Sequence, residues 1–263
     1  MSESFINYDL LDRFSVEQFR SREPFPWANL QGFLTPEGFA QLYRDFPPLE
    51  MFEEHRDIDR VYGQRPHNRY YLAYETSIYH AGERPAKGVL SREQLPATWR
   101  AFMEELETSE RYHEFVRRVL NVESFQARYA WHLGFHGSEV SPHVDSPTKF
   151  GTHIIYFNAS EDWDSSWGGE TLVLGGRRTE AMNPDFSDFS TSAAVHVLDN
   201  GSFLFKNTAE AWHGVRPLMS PPGKFRRLFN VIFERPGIAP ERGINSTARR
   251  SGLLERARAI LGL

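Results

Sequence analysis

Two histidines and an aspartate stand where one metal ion could be held between them. His143 and Asp145 are two residues apart in SPHVDSPTKFGTHIIYFN (residues 141–158), and His213 follows in NTAEAWHGVRP (residues 207–217). Neutral imidazole and carboxylate bind Fe(II) on one face of an octahedron and leave the opposite face open for a bidentate oxo-acid and O2. In an extended segment residues i and i+2 point to the same side, so His143 and Asp145 can grip one ion together. His213 must then arrive on a sequence-remote strand, as a barrel with such strands side by side allows. Alone, a His-x-Asp pair in a chain with ten histidines also reads as a capped turn.

Three neighbouring features favour the metal. Pro142 and Pro147 stiffen the backbone on both sides of the pair. WGGETLVL, residues 167–174, reads as a tight glycine turn entering a buried strand. After WHGVRP comes GKFRRLFNVIFE, in which an arginine pair opens an alternating apolar run. Period two puts Arg226, Leu228, Asn230 and Ile232 on one face of that run, and Arg227, Phe229, Val231 and Phe233 on the other.

In these stretches the chain resembles the Fe(II)- and 2-oxoglutarate-dependent dioxygenases, most closely their prolyl-hydroxylase-like branch. The resemblance covers about residues 125–234, with a looser echo in FPWANLQGFLTPEGFAQLYRDFPP near the start. It implies a mainly β fold, a double-stranded β-helix (a cupin-like jelly roll), with iron held by His143, Asp145 and His213. It implies Fe(II) as metal, with 2-oxoglutarate and O2 as cosubstrates. It also implies a basic residue, on the strand after the second histidine, that binds the far carboxylate of 2-oxoglutarate. The family's R-x-x-x-V-x-x-F pattern, laid on RRLFNVIFE without gaps, puts that residue at Arg226, with Arg227 second. The family commonly places it ten positions after the histidine, where this chain has Gly223, so MSPPGKF reads as a short insertion. Arginine suits the role because its planar fork makes paired, charge-assisted bonds to a carboxylate. The same alignment places Tyr156 where a hydroxyl often joins the arginine. Ordinary barrel packing is the alternative for that residue. Asn207 and Trp212 are candidates to support the ligands, since a ligating imidazole usually has its other nitrogen held. The family's halogenases replace the carboxylate with a small residue, so Asp145 favours hydroxylation over halogenation, while desaturation or ring closure uses the same triad.

The elements that must position these residues follow from the patterning. Thr35 as N-cap and Pro36 at the first helical position open a helix carrying Phe39, Leu42, Tyr43 and Phe46, ended by Pro47 and Pro48. Residues 49–87 read as an irregular polar and aromatic run, a connector or a cap over the barrel mouth; they include Arg60, Arg65, Arg69, Tyr70 and Tyr71. Two supporting helices follow, one on Leu95, Trp99, Phe102, Met103 and Leu106, the other started at Thr108 or Ser109 with Tyr112, Phe115, Val116 and Val119 inside and His113 towards solvent. A strand begins after Asn121. ASEDWDSSWGGE reads as a solvated hairpin connection without the spacing of a calcium loop. Residues 175–191 read as a lid or substrate loop, and AAVHVLD and GSFLFK as strands around a turn at Asn200 and Gly201. His153 and His196 read as packing histidines. From Ser246 an amphipathic helix is expected, docking on the chain itself or on a second subunit.

With 263 residues, 40% of them hydrophobic, the chain can bury one substantial core, read as one dioxygenase domain over 1–263: a helical and cap region to 121, a core over 122–235 and a helical tail over 236–263. A net charge of -5 gives no footprint for nucleic acid or an anionic membrane. No cysteine is present, which excludes disulfides, thiolate nucleophiles and sulfur ligands. No signal peptide or apolar span is found, and a soluble cytoplasmic protein is the expectation. The expected activity is hydroxylation of an unactivated C–H bond of a small molecule, such as an amino-acid derivative or natural-product intermediate. Hydroxylation of a protein side chain is the alternative. From other classes, a non-catalytic cupin-like binding protein or a zinc hydrolase could use the same three ligands, but neither explains the arginine-led strand.

Overall fold

The computed structural model describes residues 4–58, 65–80 and 85–238. The helix expected from Ser246, and Arg60 in the cap, lie outside the described residues.

The chain folds as helices laid against the larger of two β-sheets. Two short helices, α1 (Tyr8–Asp12) and α2 (Val16–Arg20), precede strand β1 (Trp27–Gln31) and helix α3 (Pro36–Arg44). The Thr35 hydroxyl accepts from the Gly38 N–H and Pro36 opens the helix, as the capping pattern predicts. Helices α4 (Ala97–Thr108) and α5 (Glu110–Leu120) form the supporting pair, and Ser109 caps the second of them by accepting from the Tyr112 N–H. Their buried faces carry the expected residues. His113 is half-buried rather than solvent-facing, its Nε2–H donating to the Leu106 carbonyl at 2.8 Å, because α5 lies down against Phe125.

The larger sheet runs in the order β1, β10 (Gly201–Lys206), β7 (Lys149–Tyr156), β12 (Arg226–Glu234), β5 (Gln126–Gly134), β3 (Arg69–Tyr74) and β2 (Glu53–His55), with the two-residue β4 (Val89–Leu90) parallel to β3. The smaller sheet runs β6 (Val140–His143), β11 (His213–Val215), β8 (Leu172–Arg177), β9 (Phe189–Ala194). This is the strand-rich core of a jelly roll, built as two sheets rather than one closed barrel among the described residues. One face of the larger sheet packs on the helices. There Trp99, fully buried, meets Phe46, Phe102, Trp131, Phe157 and Phe229 at ring-centroid distances of 5.2–5.9 Å. Aromatic pairs at such offsets add to the burial of the rings themselves.

Four expectations are corrected here. Residues 69–74 are not an irregular connector: RYYLAY alternates as strand β3 and pairs with β5 inside the larger sheet. The strand expected over AAVHVLD lies earlier, at FSTSAA, where it pairs with β8. Residues 175–191 are therefore the paired ends of β8 and β9 with the loop 178–188 that joins them. Val195 and Val197 instead pack between the sheets as the chain crosses, and Asp199 and Asn200 take positive φ at the expected turn. The acidic stretch after Asn158 is solvated only in part: Glu161 and Asp164 are exposed, but Trp163 is buried against Val215 and Leu218.

His153, expected to be a packing residue, sits wholly inside between Phe33, Tyr112 and Ser202. Burial pushes it down to about 3 from an ordinary value of 6.5. The folded chain holds it neutral, so its contribution to stability is complete above pH 6.5 and is lost as the pH falls from there towards 3. Each unit of such a shift corresponds to about 1.4 kcal/mol. His153→Gln cannot take up that proton and is expected to flatten the loss of stability across this window, measured by denaturant unfolding at a series of pH values.

Candidate metal centre and its cavity

The three expected ligands converge. β6 and β11 are antiparallel neighbours, and His143 and His213 are direct cross-strand partners with rings 4.4 Å apart. The strands approach closely because of Gly214: a Cβ there would lie 2.7 Å from the Val140 carbonyl oxygen and push β11 away. Each imidazole is oriented by the same local device. The Nδ1–H of His143 donates to the Ser141 carbonyl, and that of His213 to the Ala211 carbonyl, both at 2.9 Å. A carbonyl only accepts, so Nδ1 carries the proton and Nε2 keeps the lone pair that a metal requires. One donor atom from each of His143, Asp145 and His213 lies within 4.8 Å of the other two.

Asp145 is held from both sides. Lys149 Nζ donates to Oδ1 at 2.7 Å and Thr152 Oγ1 to Oδ2 at 3.2 Å. Burial by itself would raise its pKa, but the Lys149 ammonium, with the His213 and His143 rings beside it, outweighs burial and holds the carboxyl below the usual range. Asn207 fixes the loop that carries it, its Nδ2 lying 2.9–3.3 Å from the carbonyl oxygens of Asp145, Ser146 and Lys149. Asn207 thus supports the aspartate's backbone rather than an imidazole. Trp212 turns away, with Arg177 over its ring and Phe189 beside it.

A cavity of about 180 Å³ lies between the sheets, with the triad in its wall. Arg226, Leu228, Asn230 and Ile232 face it from β12, and Thr152 and Ile154 from β7, which is the division of faces expected from alternation. Arg226 is 7% exposed. Its Nε donates to the Gly169 carbonyl at 2.5 Å and its Nη2 to Thr171 Oγ1 at 3.0 Å. Among the described residues no carboxylate lies within ion-pair distance of it. Gly169 takes φ +104° and a Cβ there would lie 3.2 Å from Arg226 Cδ, so the glycine turn is what lets the backbone meet the guanidinium.

Arg227 points the other way. It pairs with Asp162 of the acidic stretch and lies over the Tyr43 ring at 4.4 Å, outside the cavity. Tyr156 is buried behind Arg226: its hydroxyl is 2.7 Å from Thr171 Oγ1, and its ring centroid is 5.1 Å from the guanidinium carbon. Sequence reasoning missed Thr171, which joins those two side chains, and also Arg69 and Tyr71, which reach the cavity from β3. The period-two alternation of RYYLAY was the signal for the last two. Nothing local singles out Thr171.

No protein-family model matches this sequence, and no curated protein matches it either. Solved structures do match in fold. A prolyl-4-hydroxylase from Pseudomonas putida superposes with a TM-score of 0.54 at 13% identity, over 88% of this chain and 99% of the other. An oxidoreductase of the 2OG-Fe(II) oxygenase family from Burkholderia pseudomallei gives 0.53 at 16% identity, over 88% and 91%. A non-heme alpha-ketoglutarate-dependent carbocyclase from nogalamycin biosynthesis gives 0.53 at 12% identity, over 87% and 90%. The chain therefore has the fold of the Fe(II)/2-oxoglutarate oxygenases, of the prolyl-hydroxylase-like kind. Its two histidines and aspartate bring together three donor atoms that could hold one metal ion. No described helix is long and apolar enough to cross a membrane.

Proposed function

We propose that this protein is an Fe(II)- and 2-oxoglutarate-dependent dioxygenase that hydroxylates an unactivated C–H bond of a small molecule, with release of succinate and CO2. One observation carries the reading: a three-donor site and a buried guanidinium that has no carboxylate partner among the described residues face the same cavity. Burying an unpaired cation is costly, and an anionic ligand is the ordinary way to offset that cost. A zinc hydrolase or a cupin-like binding module would give Arg226 nothing to do.

Each residue has a definite task on this reading. His143 and His213 present Nε2 to the metal, and their carbonyl partners keep the rings from turning. Asp145 supplies the charged ligand, kept ionised by Lys149. Arg226 anchors the carboxylate of 2-oxoglutarate remote from the metal, with Thr171 holding the guanidinium and Tyr156 holding Thr171. Ile154, Leu228, Val215 and Leu218 line the cavity with apolar surface that excludes water. When bound, iron with 2-oxoglutarate and O2 supplies the oxidising power, and the protein supplies position and dryness. Structures of this fold include proteins named for prolyl hydroxylation and for carbocycle formation. Fold alone leaves the substrate open, and the choice of a free small molecule over a protein side chain is this proposal's own.

The test is 2-oxoglutarate binding to anaerobic Fe(II)-loaded protein, followed by visible absorption and calorimetry. Binding that requires the metal, with an absorption band present only in the ternary mixture, is the expected result. Failure of iron and 2-oxoglutarate to bind together overturns the reading.

A further inference from the structure

The cavity holds a second cation for which 2-oxoglutarate has no use. Four cationic side chains line it beside the triad, and charge pairing accounts for two. Lys149 pairs with Asp145 at 2.7 Å, and Arg128 with Glu234 at 2.9 Å. Glu139, also in the wall, is taken by Arg65 at 3.0 Å. Arg226 and Arg69 remain, with no carboxylate within ion-pair distance among the described residues. On the oxygenase reading, Arg226 belongs to the cosubstrate, which leaves Arg69.

The surroundings of Arg69 are those of a ligand site. Its Nη2 donates to the Tyr79 hydroxyl at 2.9 Å, but its Nε is buried without a hydrogen bond. Among the described residues the O–H of Tyr71, in a residue 2% exposed, has no acceptor, its oxygen lying beside Arg128, and Asn230 Oδ1, in a residue 8% exposed, has no donor. Buried polar atoms without partners are rare in folded proteins, and here three occur along one stretch of cavity wall. Burial pushes the Tyr71 hydroxyl up to about 12, so it stays protonated and can donate. His132, the cross-strand partner of Tyr71, is driven well below its ordinary value by burial and by the charges of Arg69, His55, Arg226 and Arg128. It therefore adds no positive charge of its own.

We infer that Arg69 and Tyr71 form an anion-binding subsite for the primary substrate, with Asn230 Oδ1 accepting from a donor on the same molecule. The inference rests on the oxygenase reading and narrows its substrate to a small organic acid bearing an N–H or O–H group, such as an N-acyl amino acid or a hydroxy acid. Arginine with an adjacent hydroxyl is a charge-assisted donor set for carboxylate. Asn230 shares the cavity face of β12 with Arg226, two places from Leu228, so one strand addresses both substrates.

The test uses the anaerobic Fe(II)-loaded protein with saturating 2-oxoglutarate. N-acetyl amino acids and small hydroxy acids are each titrated against the corresponding primary amide, followed by calorimetry and by the shift of the visible band. At least one acid is expected to bind about tenfold or more tighter than its amide. That preference should disappear in Arg69→Gln, weaken in Tyr71→Phe and persist in Arg69→Lys, with 2-oxoglutarate affinity unchanged in all three. The Tyr71 change keeps the ring and its contacts with His55, Tyr79 and His132 and removes only the hydroxyl beside Arg128; the thermal midpoint of each variant checks that it remains folded. If no acid is preferred, or the preference survives Arg69→Gln while 2-oxoglutarate still binds, the inference is overturned and the oxygenase reading stands. If Arg69→Gln abolishes 2-oxoglutarate binding, Arg69 is the cosubstrate anchor and the inference is again overturned. If wild type fails to bind 2-oxoglutarate with iron, the parent reading fails first.

Discussion

Arg226→Met is expected to raise the dissociation constant for 2-oxoglutarate by two to three orders of magnitude while Fe(II) binding is retained. Truncating one member of a buried, hydrogen-bonded charge pair costs roughly 2–5 kcal/mol, and every ~1.4 kcal/mol is tenfold in affinity. Methionine keeps the length and apolar stem of arginine, so the change isolates the guanidinium from its packing. Thr171→Val removes the hydroxyl that holds Arg226 Nη2 and receives Tyr156, and should produce a smaller loss, about tenfold. Arg227→Met is the control, because its guanidinium engages Asp162 and the Tyr43 ring away from the cavity. It should lower thermal stability and leave 2-oxoglutarate affinity unchanged. Calorimetric titration of the anaerobic iron-loaded proteins decides among these. A large effect at Arg227 with none at Arg226 would reverse the assignment.

Asp145→Ala is expected to weaken Fe(II) binding by more than about hundredfold and to reduce succinate formation to background. It removes the one anionic ligand of the site and leaves two neutral imidazoles beside an ammonium. Lys149 then faces the cavity without its carboxylate, so some loss of stability follows from charge rather than from chemistry. Asp145→Asn separates the two effects: it keeps the shape and the contact with Thr152 but loses the negative charge. Iron content after gel filtration and the thermal midpoint of each variant, with and without added Fe(II), report them independently. Retained tight iron binding in both variants would remove Asp145 from the ligand set.

What the sequence made legible was whatever short spacing or alternation encodes. His143 and Asp145 are two residues apart, the first at the end of β6 and the second just beyond it. β12 alternates so regularly that the separation of Arg226 from Arg227 follows from period two alone. The helices were readable because Thr35 and Ser109 cap them and their apolar stripes repeat at helical spacing. The illegible parts depend on partners far along the chain. Thr171 matters because Tyr156 and Arg226 happen to meet there, 15 and 55 residues away. Asp162 claims Arg227 only because the acidic stretch packs inward on Trp163. β3 was hidden by its aromatic content, since Tyr70, Tyr71 and Tyr74 suit a strand and a surface connector alike. The strand expected over AAVHVLD failed for another reason: valines alternate there because the chain crosses between sheets, and FSTSAA pairs with β8 although almost all of it is exposed.

The two faces of β12 also constrain how such a protein can diversify. Phe229, Val231 and Phe233 are bound into the aromatic layer under the helices, while Arg226, Asn230 and Ile232 look into the cavity. Neighbouring codons therefore answer to different selective demands. Exchanges at Ile232 or Asn230 can retune substrate choice one position at a time, whereas a change at Phe229 disturbs Trp99, Trp131 and Tyr129 together. A lineage with this strand can drift towards new substrates through its inward positions while its outward positions stay nearly still.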